Sequence, residues 1–176
     1  MSIVYLREPT EYKTTARLNL EHQMGTVKKR RIKHSKGEIF LGRVLDKLQL
    51  QYIREFSLQS IPKLRFDFCL QEKKILLEWD SQIHFKFCKF IHKTEGKFIK
   101  AQQRDCLKTN EAIESGYLII RIDYNYLDNF EQVTNFIQRV ISQWDGTGKF
   151  IAMNFNLYSY LKDPINKKII KKYKII

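Results

Sequence analysis

The residues that could do chemistry crowd into one short stretch of this 176-residue chain. In Ile75-Leu76-Leu77-Glu78-Trp79-Asp80, two carboxylates interrupt a nearly continuous apolar run, and Gln82 and His84 follow at the same even spacing. Side chains on a strand alternate between faces, so Glu78, Asp80, Gln82 and His84 share one side if the strand stays regular. Asp67, within Arg65-Phe66-Asp67-Phe68, falls on the neighbouring strand of a hairpin. Two carboxylates converging from adjacent strands are what a hard divalent cation needs: oxygen ligands, incomplete protein coordination, and room for water or phosphate. Burying them with neither a cation nor a basic partner would be costly. The competing arrangement pairs Asp67 with Arg65 or another base and leaves Glu78 and Asp80 in solvent on an edge strand. Glu78, however, sits inside ILLEW, where exposure is least expected.

Other polar residues admit two readings. Ser35 and Glu38 have the spacing of a capping box. Asp105 and Lys108 are one helical turn apart, the spacing of an ordinary i, i+3 ion pair on a surface helix. His84-x3-Cys88-x3-His92, with Cys106 as a fourth ligand, would suit zinc if the intervening segment were helical, but IHFKFCKFIH reads as a strand end and loop. The chain contains no Gly-rich phosphate loop, G-x-S-x-G elbow or dinucleotide fingerprint.

The elements that must position these residues follow from periodicity. Behind the cap at Ser35, Phe40, Leu41, Val44, Leu45 and Leu48 recur at helical intervals, predicting a helix over 36–49. Tyr52 to Leu58 and Leu64 to Leu70 read as strands around a turn at Ile61-Pro62, and Gln71 to Lys74 closes a hairpin onto Ile75 to Asp80. Phe98, Ile99, Cys106, Leu107 and Ile113 predict a helix over 98–114 ended by Gly116. Tyr117 to Ile122 is a strand, Asn129 to Trp144 a helix, and Lys149 to Tyr160 could add one or two edge strands. The order α-β-β-β-α-β-α implies an α/β fold with a mixed sheet and helices on both faces. The divisions expected are a basic N-terminal arm over 1–34, a core domain over 35–145, and a C-terminal extension with a basic tail over 146–176.

Composition narrows the classes. With 43% hydrophobic and 13% aromatic residues the chain can bury a sizeable core, so global disorder is excluded. No run approaches the roughly 18–20 apolar residues of a membrane span, Arg7 and Glu8 interrupt any leader-like start, and three cysteines without a C-x-x-C pairing suit a reducing compartment. An intracellular location, cytoplasmic or nuclear, is expected, with no membrane partner. The net charge of +13 is concentrated at the flanks: residues 1–36 carry +6 and residues 162–176 carry +5, leaving +2 for everything between. The runs KKRRIKHSK, with Lys28, Lys29, Arg30, Arg31, Lys33 and Lys36, and KKIIKKYK suit phosphate backbones, or else act as solubilising tails or a targeting signal.

Glu38 on a first helix, then RFDF, then ILLEWDSQIHF, then RDCLKTNEAIESGYLIIRIDY, resembles the PD-(D/E)XK nuclease superfamily. It looks closest to the branch of very-short-patch repair endonucleases and the homing endonucleases related to them. The likeness covers residues 35–125. It implies a restriction-endonuclease-like fold in which Asp67 and Glu78 hold Mg2+ or Mn2+, with Glu38 near the same ion. Asp80 stands where the superfamily usually has its motif lysine; in the resembled branch an Asp here is common, and Gln82 and His84 supply the polar functions. Lys108 could stand in for the missing lysine.

These expectations converge on a metal-dependent DNA endonuclease that hydrolyses phosphodiester bonds, with Asp67, Glu78, Asp80, Gln82, His84, Glu38 and Lys108 as its catalytic set. Double-stranded DNA is the expected partner, and a homodimer would let one site per chain cut both strands. A catalytically silent nuclease-like protein that binds nucleic acid through its flanks, and an RNA endonuclease, are the alternatives.

Overall fold

The computed structural model describes residues 34–144, 146 and 149–162. The described residues fall in one compact unit. Its elements are α1 (Lys36–Lys47), β1 (Ile53–Phe56), β2 (Phe66–Leu70), β3 (Ile75–Asp80), α2 (Lys89–His92), α3 (Glu95–Glu114), β4 (Leu118–Asp123), α4 (Phe130–Ser142) and β5 (Lys149–Ala152). A 3-10 turn at Gln82–His84 follows β3, and a longer 3-10 segment, Phe155–Lys162, follows β5.

The five strands form one sheet in the order β1-β2-β3-β4-β5. Tight connections make β1, β2 and β3 antiparallel, whereas helical crossovers make β3, β4 and β5 parallel. The fold is therefore the α/β class expected, a mixed sheet flanked by helices. All six residues of β3 and all six of β4 are buried, because helices cover both faces. On one face α1 and α4 pack Leu41, Leu45, Val133 and Ile137 against Phe68, Leu77 and Ile120. On the other, α3 and the C-terminal 3-10 segment pack Cys106, Ile113, Tyr158 and Leu161 against Leu76 and Ile119.

α1 begins as its sequence predicts: Ser35 Oγ accepts from Glu38 N, and Glu38 Oε1 accepts from Ser35 N. Gly37 lets this helix start press on β3, since a Cβ there would collide with the Trp79 indole. α3 starts three residues earlier than its apolar spacing suggests, at a Thr94 side-chain cap, because its first turn is polar and carries no periodic signal. It ends at Gly116, whose φ of +79° is left-handed.

Two expectations fail. β3 stops at Asp80 and the chain turns into a 3-10 helix, so the even spacing does not carry Gln82 and His84 onto the strand face. The apolar residues Ile99 and Leu107 of α3 are exposed, while its buried face carries Asp105, Thr109 and Asn110. Asp105 pairs there with Arg121 of β4, and Lys108 of the same helix with Glu78 of β3. In the region of the expected C-terminal extension, β5 pairs with β4, and Tyr158 and Leu161 enter the core. Among the described residues no helix is long and apolar enough to cross a membrane.

Candidate active site

The site lies at the carboxyl end of β3, where α1, the sheet and α3 meet. The register Phe68↔Leu77, extended by one residue, brings Asp67 level with Glu78. Trp79 N donates to Asp67 Oδ2 at 2.7 Å, which pins the Asp67 carboxyl against β3. Arg65 takes Glu55 at 3.3 Å instead, so the Arg65–Asp67 pairing does not form. Burial and the neighbouring Glu78 charge push the Asp67 carboxyl up to about 8.

Glu78 is buried, and Lys108 Nζ, from α3, reaches its Oε1 at 2.5 Å. Desolvation still raises Glu78 above the ordinary carboxylate range, although Lys108 and Arg121 oppose the shift. Lys108 also lies over the Phe66 ring, 4.9 Å from its centroid. The sequence spacing suggested that Lys108 would pair with Asp105 on an exposed helix face; the structure directs Lys108 to β3 and buries Asp105 beside another cation.

That cation is Arg121 of β4, fully buried, with Nη1 3.3 Å from Asp80 Oδ1 and Nη2 3.7 Å from Asp105 Oδ1. Asp80 Oδ2 accepts from Tyr158 at 2.9 Å, so both its oxygens are engaged. His84 Nδ1 lies 2.8 Å from Asp105 Oδ2 and 3.4 Å from Asp80 Oδ1. Gln102 Nε2 donates to the His84 carbonyl and ties the 3-10 turn to α3. Tyr160 donates to Asp105 Oδ2 at 3.4 Å. Two carboxylates and one guanidinium leave a net negative charge that an imidazolium would neutralise. Burial pulls the His84 imidazolium down, but the Asp105 hydrogen bond and the Asp80 and Asp105 charges outweigh it, leaving His84 above its ordinary value. Burial would raise Asp105, but Arg121 and the His84 bond hold it below the usual carboxylate range.

Glu38 approaches from α1. Desolvation would raise it, yet hydrogen bonds from His34 and Ser35 bring it below its ordinary value. Its charge is nevertheless felt at Asp67. Among the described residues, three ligand atoms within 4.8 Å of one another occur at His34, Glu38 and Glu55, not at Glu38, Asp67 and Glu78. Glu55 lies on β1 between Arg54 and Phe56, which pair with Phe68 and Phe66, and has a left-handed backbone conformation with φ of 53°. Glu38 thus stands within electrostatic reach of Asp67, as Glu78 does, and has Glu55 beside it.

Gln82 stands exposed at the rim. His92 is buried with its Nδ1 accepting from Cys88 N at 2.9 Å, and His84, Cys88, His92 and Cys106 bring no three ligands within one ion's reach. Lys36 lies exposed at the start of α1, whereas Lys28, Lys29, Arg30, Arg31 and Lys33 fall outside the described residues. Sequence reasoning missed Arg121, Tyr158, Tyr160 and Glu55 as site residues. Arg121 carried the same signal as Glu78, a charge inside an apolar run; the tyrosines, 78 and 55 residues from their partners, carried none.

No family model matches the chain, and no similar sequence was found among curated proteins. Among solved structures, it is similar to the catalytic domain of the homing endonuclease I-Bth0305I, at 19% identity and a TM-score of 0.45, over 60% of this chain and 93% of that one.

Proposed function

We propose that this chain is a divalent-metal-dependent nuclease that hydrolyses phosphodiester bonds in DNA. The carrying observation is an imbalance of charge at the end of β3. Arg121 serves Asp80 and Asp105, and Lys108 serves Glu78, whereas Asp67 accepts from a backbone N–H and forms no ion pair among the described residues. A carboxyl lifted to about 8 beside a second buried carboxylate is a seat suited to a doubly charged cation. Two protein carboxylates leave the rest of a hard cation's shell to water and phosphate.

Asp67 and Glu78 would hold the ion, which when bound supplies Lewis-acid polarisation of a phosphate oxygen and a more acidic water. Asp105 orients His84 through Nδ1, which leaves Nε2 to take a proton from water in the cavities His84 lines. Asp80, held by Arg121 and Tyr158, stands 3.4 Å from the same Nδ1 and adds a second negative charge beside it. Lys108 places an ammonium beside Glu78, where it neutralises charge developing on the phosphate. Gln82, exposed in the turn two residues before His84, would meet substrate.

A catalytically silent, nucleic-acid-binding role is the second reading, favoured by the Lys108–Glu78 pair, which gives Glu78 a counter-charge without a metal. Incubating supercoiled plasmid with the protein in magnesium, manganese or EDTA, beside a Glu78→Ala variant, separates the two. Nicked or linear product in the metal lanes of the wild type alone supports the nuclease. Plasmid that is bound but intact in every lane assigns the silent role.

A further inference from the structure

α3 carries its cations on one side. Lys97, Lys100, Arg104 and Lys108 follow one another at intervals of three, four and four residues, which superposes them in a single stripe along the helix. The stripe runs from the exposed start of α3 to Lys108 beside Glu78, and one turn further it becomes acidic at Glu111. At 1.5 Å per residue it spans about 16 Å, comparable to the axial rise of four or five nucleotides of one DNA strand at 3.4 Å each.

Two cavities flank the stripe and share His84, Ala101 and Arg104. One, of about 810 Å3, is lined by Lys97, Lys100 and Arg104; the other, of about 490 Å3, adds Lys63, Arg65 and Lys108. The small side chain of Ala101 lines both and leaves the floor between them low. Lys63, Lys97, Lys100 and Arg104 are exposed and form no ion pair among the described residues. Folding has thus brought four cations, free of carboxylate partners, to one groove that ends at the candidate site.

We infer that this groove is a phosphate-backbone track: Lys97, Lys100 and Arg104 on one side and Lys63 on the other receive a nucleic-acid strand and lead it past His84 to Lys108. None of its cations belongs to the basic run Lys28 to Lys36. What happens at its inner end rests on the nuclease reading, but the binding does not.

The test is equilibrium binding of the full chain to duplex DNA, single-stranded DNA and RNA of equal length, in EDTA across a salt series. Three proteins are compared: wild type, Lys97→Glu/Lys100→Glu, and Lys73→Glu/Lys74→Glu, the last reversing two exposed charges at the hairpin between β2 and β3. Removing the cations from two phosphates should lower the slope of log affinity against log salt by about two and weaken binding roughly tenfold or more. The α3 variant should show that loss while the hairpin variant keeps wild-type values, and the polymer most affected is the one the track accepts. Equal losses in both variants, or none in the α3 variant, overturn the inference. Plasmid cleavage at saturating DNA is read in parallel. If the α3 variant loses affinity but no protein cuts, the track stands and the nuclease reading falls.

Discussion

Asp67 and His84 are both displaced upward in pKa, for opposite reasons and with opposite consequences. Asp67 binds its proton more tightly in the folded chain, at about 8 against an ordinary 3.8, because burial and Glu78 disfavour its charge. Its contribution to stability is complete below 3.8 and is lost as pH rises through 8. In EDTA, Asp67→Asn, which keeps an oxygen for Trp79 N, should therefore leave melting temperature unchanged near pH 3 and raise it progressively toward pH 9. Each kcal/mol recovered is worth about 2–4 °C in a chain of this size. A variant less stable than wild type at pH 9 would contradict the assignment. His84 is raised because Asp105 and Asp80 favour its charged form, so it becomes a neutral base only above its ordinary 6.5. The acid limb of the cleavage rate should lie above that value, and Asp105→Asn should move it down while lowering the rate. His84→Ala should cost roughly 100- to 10,000-fold in turnover with DNA affinity nearly intact. A smaller loss than that from Lys108→Ala would transfer the main role to the ammonium.

The helices and the C-terminal 3-10 segment turn these residues into a site, and two contacts show how. Gly37 admits the Trp79 indole against the first turn of α1, and so sets Glu38 near Asp67. Gly37→Ala should destabilise the chain by about 1–3 kcal/mol, the usual cost of overpacking, and should impair cleavage more than DNA binding. Tyr158 donates to buried Asp80, and Phe85 meets its ring edge-on at 5.2 Å. Tyr158→Phe leaves an acceptor partly unpaired, at about 1–3 kcal/mol, and should shift the His84-dependent limb of the pH profile, which packing loss alone would not move. The capping box at Ser35 and the apolar run of β3 were legible in the sequence because their causes are local: a side chain reaching three residues, and coverage on both faces. The turn after Asp80 was not, since strand alternation persists in the sequence where the backbone abandons it. Nor was the burial of Asp105, because an amphipathic pattern assigns the core to apolar residues. Arg121 and His84, both distant in sequence, make a carboxylate stable there.

Charge is distributed differently in the folded unit and in the chain as a string. By sequence the centre is nearly balanced and the flanks hold the excess. In the fold, Asp67, Glu78, Asp80 and Asp105 come together at the end of β3, while Lys97, Lys100, Arg104 and Lys108 line α3 beside them. A balanced sum therefore conceals an acidic cluster at the end of a basic stripe, the pairing that the proposed metal-assisted nuclease would use. Charge reversal within Lys28 to Arg31 should then lower the salt slope of DNA binding by about one for each phosphate those side chains neutralise, yet leave cleavage at saturating DNA intact. An unchanged slope would assign that run to targeting or solubility.

The central claim is that Asp67 and Glu78 form a seat for a divalent ion, and calorimetric titration of the full chain with Mn2+ tests it most directly. At pH 7 the Asp67 carboxyl, lifted to about 8, is mostly protonated, so binding must displace that proton. Repeating the titration in buffers of different ionisation enthalpy should show release of about one proton per ion, with affinity rising between pH 7 and 9 and binding at this stoichiometry lost in Asp67→Asn. Wild-type affinity and proton release in Asp67→Asn, or no binding by the wild type at either pH, would contradict the account.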